Sequence, residues 1–551
     1  MVEIKIAKKA GFCMGVRRAV NLVLKALNSG MTPIYTYGPL IHNPQTLELL
    51  SSLGVKVIKD VNEELPKGTC IIRAHGVPPK EREALEKRHT IIDGTCPRVL
   101  KVQALAKGAK EAQKKVVIIG DKDHAEVKGI LGYCEGVGYV VSSFQDIEKL
   151  PPLDNYLILS QTTQDEEIFK FLAEEILSRF PGGKVINTIC NATEVRQNEV
   201  RRLSRECPAI VVIGGKFSAN TVRLAQIAQN ESRDVYLIEK VEELPLNTLK
   251  NYPKVGITAG ASTPNWLINE VVDRLRSATN PFYRAFKAFH ILAFHEAFAF
   301  LFLVLATSLW LTNIPKEILY TLLLFLFFLQ LLRKNLYQYL LRDSYSTYYP
   351  LKGKTIERHK LLVKNLILGS GFIAFTTGFL LNPWLAIFSL SILAFDLLSM
   401  KKPLFVLGDL LLFVGIMGYL FPYWNETFFW LAGYTLISII WFHLYKELIY
   451  LQSDGFLPKN FLILTLGMEE KKGHQILLLG LALLALPFFG LVIHKGDPAF
   501  LLFLLLIPLW GVLVYLLKQR PLGQILYLES LILLPQIGAF LLSLALYLLK
   551  K

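Results

Sequence analysis

The stretch TIIDGTCPRVLKV, residues 90–102, reads as a short β-branched strand, a tight turn carrying Cys96, and a helical pattern that begins at residue 98. Two other stretches have the same order. AGFCMGVRRAV (10–20) carries Cys13 between a strand end and a helix, and NTICNATEVRQ (187–197) does the same with Cys190. In each, the sulfur falls near a helix N-terminus, where unpaired N–H groups and the helix dipole favour an anion and so a thiolate. The three cysteines are 83 and 94 residues apart, which predicts three similar lobes whose helix N-termini converge on one point. The plainer reading is three buried structural cysteines, since free cysteine is often buried. Cys70, Cys134 and Cys207 lack this context and read as core residues.

Outward from these points, short apolar runs alternate with helical patterns. Residues 2–7, 69–74, 90–94, 115–121, 155–161, 184–190, 209–215, 234–239 and 254–260 read as buried strands. Residues 15–29, 98–114, 164–180, 193–206 and 219–229 read as helices. Strands alternating with helices of this length predict parallel α/β layers. The pattern ends near residue 280. Residues 1–280 carry 38 Lys/Arg and 32 Asp/Glu, whereas residues 281–551 carry 22 and 13 amid long runs of Leu, Phe and Ile. The expected division is therefore a soluble α/β part, 1–280, and an apolar helical part, 281–551. With 551 residues, 52% of them hydrophobic, the composition excludes a disordered chain or a small disulfide scaffold. All six cysteines lie in the first part, and the opening MVEIKIAKKAG has no apolar run of a signal peptide. Reduced, cytoplasmic thiols are expected.

Further polar groups cluster at strand ends: His42 in GPLIHNPQ, His75 in RAHGVPP, His124 and Glu126 in GDKDHAEVKG, Thr162 and Thr163 in SQTT, Ser218 and Asn220 in GGKFSAN, and Ser262 in TAGAS. A lone loop histidine is usually only solvated. Three of them, with hydroxyls and an amide ahead of helices, make a donor set suited to phosphate oxygens. Glu126 is the one carboxylate among them, a candidate proton donor. No GxxxxGK[ST] phosphate loop and no CxxC pair is present.

Taken in order, GFCMGVRRAV, GPLIHNP, RAHGVPP, DGTCPRV, DHAEVKG, SQTT, TICNAT-x-x-RQ, GGK-x-S-x-N and TAGAS-x-P resemble the 4-hydroxy-3-methylbut-2-enyl diphosphate reductase (LytB/IspH) family over about residues 1–278. The resemblance implies three similar α/β lobes around a central [4Fe–4S] cluster. Cys13, Cys96 and Cys190 are then its three ligands, one fewer than the usual four. His42, His75, His124, Ser218, Asn220 and Ser262 are the implied diphosphate pocket and Glu126 the implied proton source. Thr162 stands beside the substrate hydroxyl, with Thr163 as the alternative. Ala219 departs from the family, which commonly has a second serine there. The implied reaction forms isopentenyl and dimethylallyl diphosphate, with electrons from an external donor such as ferredoxin or flavodoxin.

In the second part, nine apolar spans are expected at about 291–312, 316–332, 362–381, 383–400, 404–422, 427–447, 475–494, 498–517 and 525–548, each close to the ~20 residues that cross a bilayer. With the enzyme half inside, fifteen Lys/Arg fall in cytoplasmic loops, while only Lys316 and Lys495, plus the terminal Lys550 and Lys551, lie outside. That asymmetry accounts for the basic balance without nucleic acid. It predicts a multi-pass protein of the inner (cytoplasmic) membrane, in contact with lipid, with the enzyme domain in the cytoplasm. The layout resembles UbiA-type intramembrane prenyltransferases. Their paired acid motifs are depleted here: Asn335, Asp343, Glu447 and Asp454 remain, but Leu336, Tyr339 and Tyr450 replace acids. Hard Mg²⁺ ions need several carboxylates, so ordinary Mg²⁺ chemistry is not expected. The primary expectation is a membrane-tethered reductase. A bifunctional reductase–prenyltransferase is the runner-up, and a transporter or anchor with a regulatory soluble half is the third.

Overall fold

The computed structural model describes residues 2–231, 234–311, 314–343, 350–399, 405–452, 470–518 and 525–550. The chain divides into two compact units, Met1–Thr279 and Asn280–Lys551.

In the first unit, twelve strands form three four-stranded sheets. They are β1 (Glu3–Ile6), β2 (Ile34–Tyr37), β3 (Val55–Ile58), β4 (Thr69–Ile72), β5 (Thr90–Asp93), β6 (Lys115–Ile119), β7 (Gly138–Val141), β8 (Tyr156–Ser160), β9 (Lys184–Val185), β10 (Ala209–Ile213), β11 (Asp234–Ile238) and β12 (Lys254–Ala259). Every pairing is parallel. The sheet orders are β3-β2-β4-β5, β7-β6-β8-β9 and β1-β12-β10-β11. These are one topology used three times. In the third sheet the last strand is supplied by the chain's beginning, so β1 takes the place that β5 and β9 hold in theirs. The central strands are buried apolar runs such as AIVVI in β10 and the VVII of β6, as a sheet covered on both faces requires.

Three strands are additional to those expected from sequence: β2, β3 and β7. The expected strand at 184–190 shrinks to Lys184–Val185. Beyond it, side chains replace the ladder. Thr188 Oγ1 accepts from Ser160 N at 2.8 Å and donates to Ser160 O at 2.6 Å, so the backbone turns toward Cys190.

The second unit is helical throughout its described residues. Lys360–Leu381, Glu426–Ile449, Lys472–Lys495, Pro498–Leu517 and Tyr527–Leu549 are long and apolar enough to cross a membrane, five among the described residues where nine were expected. A sixth arises if Pro281–Ile291 and Phe294–Ser308, bent by 65°, count as one. Pro383–Leu398 and Leu407–Tyr423 are apolar but shorter. Lys316–Leu340 carries Lys316 and Glu317 at its start and Arg333 and Lys334 toward its end, which lower its apolarity. The unit inverts the usual burial. Leu368, Phe372, Leu380 and Leu398 are exposed, while Arg333, Lys334, Glu296, Asp396 and Asp409 are buried. The buried charges pair. Arg333 Nε and Nη2 donate to the two oxygens of Asp396 at 2.6 and 3.0 Å, and Arg333 Nη1 and Lys334 Nζ donate to those of Asp409 at 2.8 and 2.7 Å. Pairing is what makes such burial tolerable in an apolar surround.

Candidate functional site

Cys13, Cys96 and Cys190 each sit at the N-cap of a helix: Met14–Asn28, Pro97–Glu111 and Asn191–Glu206. Each follows the fourth-position edge strand of its own sheet, β1, β5 or β9. Repeated topology therefore delivers one sulfur per lobe to a single cleft lined by all three cysteines. A backbone contact fixes each: Cys13 N donates to Ala261 O, Cys96 N to Ala74 O and Cys190 N to Thr162 O, at 3.0, 2.9 and 2.8 Å. The Cys13 sulfur accepts the Val16 N–H at 3.5 Å. The helix terminus alone does not make a thiolate everywhere. Burial pushes the Cys96 thiol up, against the lowering by the amides of Arg98 and Val99, and the other two cysteines push it further. A cationic group among the sulfurs removes that penalty, and three thiols converging from three lobes are the donor set of an iron–sulfur cluster. Gly15 shows how close the lobes come: a Cβ there would lie 2.5 Å from the Cys96 sulfur.

Cys70, Cys134 and Cys207 are buried in the lobes' cores, away from the cleft.

The same cleft is lined by His42, His75, His124, Glu126, Thr162, Thr163, Ser218, Asn220 and Ser262. The imidazoles of His42, His75 and His124 lie with ring centroids 4.7, 5.7 and 5.3 Å apart. One ligand atom from each falls within 4.8 Å of the others, so the group has the spacing to hold a metal ion as well as an anion. Burial lowers all three, His124 to about 4, and neighbouring imidazoles lower His75 and His124 further. They are thus neutral at pH 7. His124 Nδ1 accepts the Glu126 N–H at 3.2 Å, which leaves the neutral ring's proton on Nε2. His42 Nε2, His75 Nδ1 and Asn220 Nδ2 are buried without a hydrogen-bond partner in the protein. Such orphaned groups around one opening fit a polyanion. Ser218 caps the helix Ala219–Asn230 without a side-chain cap bond, and Ser262 donates to His42 O at 3.0 Å.

Glu126 is fully buried, and burial raises its carboxyl to about 7 against the lowering effect of Thr162. Thr162 N donates to Oε1 at 2.7 Å and Thr162 Oγ1 to Oε2 at 2.8 Å. The neighbouring Thr163 accepts instead from Gln161 Nε2 at 2.9 Å, which decides between the two threonines at this carboxyl.

The chain covers 99% of a 4-hydroxy-3-methylbut-2-enyl diphosphate reductase of Geobacter sulfurreducens at 43% identity over 281 residues, 51% of its own length. It covers 96% of the Aquifex aeolicus enzyme of that name at 45% identity over 282 residues, 50% of its own length. The chain belongs to the 4-hydroxy-3-methylbut-2-enyl diphosphate reductase family. The model of the family described as LytB protein matches residues 4–276. Among solved structures, the chain is similar to (E)-4-hydroxy-3-methyl-but-2-enyl diphosphate reductase, the terminal enzyme of the non-mevalonate pathway, at 44% identity and TM-score 0.41, covering 50% of this chain and 100% of that one. It is also similar to the E-1-hydroxy-2-methyl-but-2-enyl-4-diphosphate reductase of Plasmodium falciparum, at 29% identity and TM-score 0.48, covering 50% and 88%.

Arg196 belongs to this reductase cleft and was not singled out by the sequence reading. It is buried, donates to Gly11 O at 2.8 Å, and lies within electrostatic reach of Cys13 and Cys190. Its signal was the RQ pair that ends the Cys190 motif. Its other terminal guanidinium nitrogen donates to Ala192 O at 2.8 Å, so two backbone carbonyls hold the buried cation at the wall of the cleft.

The residues singled out in the second unit stand as follows. Asn335 is buried, and its Nδ2 donates to Leu292 O and Leu331 O, both at 2.8 Å. Asp343 has a side chain 90% exposed, 3.9 Å from Arg342. Glu447 is half-buried, and Asp454 lies outside the described residues.

Proposed function

We propose that residues 1–279 reduce 4-hydroxy-3-methylbut-2-enyl diphosphate to isopentenyl and dimethylallyl diphosphate, the last step of the methylerythritol phosphate route to isoprenoids. The allylic C–O bond breaks, two electrons and two protons enter, and water leaves. The observation that carries this reading is the Glu126–Thr162 pair, set in one cleft with three helix-capping cysteines and three neutral imidazoles. Cys13, Cys96 and Cys190 would hold a [4Fe–4S] cluster, which when bound supplies electrons one at a time and an iron with an open position. His42, His75, His124, Ser218, Asn220 and Ser262 take the diphosphate. Thr162 orients the substrate hydroxyl. Glu126, still protonated near neutrality, gives the proton that leaves with the oxygen. The electrons come from an external donor of the ferredoxin or flavodoxin class. Anaerobic reconstitution of the full-length chain with iron and sulfide tests the reading. About four irons and substrate-dependent oxidation of a low-potential donor support it, and an iron-loaded chain that leaves the substrate unchanged overturns it.

The second unit tethers this enzyme to a membrane with the reductase on the cytoplasmic side. Its apolar exterior and paired interior charges support that reading. The nine-span, UbiA-like layout belongs to the same proposal, with the three segments outside the five apolar helices and the bent pair crossing as shorter or more polar elements. The depletion of the acid motifs, with Leu336, Tyr339 and Tyr450 in place of acids, favours a unit without Mg²⁺-dependent prenyl transfer over the bifunctional alternative.

A further inference from the structure

We propose that His290, His295 and Glu529 form a binding site for a divalent transition-metal ion within the helical unit. His290 lies in the last turn of Pro281–Ile291 and His295 in the first turn of Phe294–Ser308, on either side of the 65° bend. Ala293, at the bend, has φ 58 and ψ 18, a left-handed conformation uncommon outside glycine, asparagine and aspartate. The bend stacks the two imidazoles with centroids 4.1 Å apart at 15°. Glu529, from the helix Ile525–Ser530, sets Oε2 against His290 Nε2. One ligand atom from each residue lies within 4.8 Å of the others, and the side chains are 0, 1 and 2% exposed.

The hydrogen-bond inventory points to a ligand. His290 Nε2 and Glu529 Oε2 face each other, but neither nitrogen of His295, nor His290 Nδ1, nor Glu529 Oε1 has a hydrogen-bond partner. Buried imidazoles ordinarily satisfy at least one ring nitrogen, because the apolar interior offers no water in exchange. A metal ion takes the lone pairs of two imidazoles and a carboxylate at about 2.0–2.2 Å, which needs only small side-chain rotations from the present spacing. Two nitrogens and one carboxylate select the Zn²⁺ or Fe²⁺ class over Mg²⁺ and Ca²⁺, which prefer oxygen. Of the nearby cations, Lys446 donates to Glu296 Oε1 at 2.5 Å, and Lys352 is within electrostatic reach of Glu529.

The test uses the full-length, iron-loaded chain in detergent, equilibrated with micromolar Zn²⁺, freed of excess by gel filtration and assayed for zinc and iron. His295→Gln and Glu529→Gln should each carry one zinc per chain fewer than the parent at unchanged iron. Taking the difference removes zinc held by His42, His75 and His124 or by cysteines. Equal zinc in parent and variants overturns the site. Should a variant aggregate, His290→Asn provides the same comparison. The parent supplies a separate check: its helical unit should melt at higher temperature with Zn²⁺ than with equal Mg²⁺. A helical transition that responds equally to both ions also overturns the site.

Discussion

Thr162 grips both oxygens of Glu126, its amide on Oε1 at 2.7 Å and its hydroxyl on Oε2 at 2.8 Å, while its carbonyl accepts the Cys190 N–H at 2.8 Å. One residue thus ties the proton-donor candidate to a cysteine, and the carboxyl cannot drift from the cleft.

Glu126→Gln keeps the shape and removes the proton. Turnover should fall by about 100-fold or more, the scale of general acid catalysis, with iron and substrate binding retained. Loss of iron instead would make Glu126 structural.

A pH profile follows from the same carboxyl. Burial holds it protonated up to about 7, and the acid form is the active one. Accordingly, kcat at saturating substrate should be flat below about pH 7 and fall roughly tenfold per unit above it. In Glu126→Gln that limb should vanish. A limb that persists in the variant belongs to another group.

Cys13→Ser, Cys96→Ser and Cys190→Ser should each lose iron and reductase activity. Cys70→Ser, Cys134→Ser and Cys207→Ser should keep iron, with a stability cost of about 1–3 kcal/mol for burying a hydroxyl. Iron analysis and thermal melting of all six variants check the division.

Gly15→Ala should act on the neighbouring lobe. Its Cβ would lie 2.5 Å from the Cys96 sulfur and 2.9 Å from the Cys96 Cβ, so that side chain must move. Iron retention should drop while the helical content of the chain stays, measured by elemental analysis and circular dichroism. Full iron in the alanine variant would show that the lobes have slack.

Diphosphate binding should take up protons. His42, His75 and His124 are held neutral by burial, and an anion among them favours the charged form. A complex that binds more protons than the free protein tightens as pH falls, so affinity should rise from pH 8 to pH 6. Calorimetry in buffers of different ionisation enthalpy reads the uptake directly. No buffer dependence would mean that the imidazoles stay neutral in the complex.

Much of the reductase site was legible because its chemistry sits at chain positions with strong local rules. Cys13, Cys96 and Cys190 lie where a strand gives way to a helix, and such junctions announce themselves in a short window. Thr162 against Thr163 was not decidable locally, since both hydroxyls occupy one SQTT run and only the place of Glu126, 36 residues earlier, separates them. Arg196 was missed because a helical arginine usually marks a solvated face.

What the sequence determined by itself was the pattern of strand, turn cysteine and helix, the reductase motifs in order, and the change to apolar helices near residue 280. Those follow from periodicity, capping and hydropathy, which act over a few residues. Tertiary structure alone decided that β1 completes a sheet begun by β10, so that Cys13 takes the position Cys96 and Cys190 hold in their lobes. It also decided that Asn335 spends its amide on backbone carbonyls, and that the 65° bend at Ala293 stacks His290 on His295 opposite Glu529, more than 230 residues away. Such pairings depend on long-range packing, and long-range packing leaves no signature in a local window.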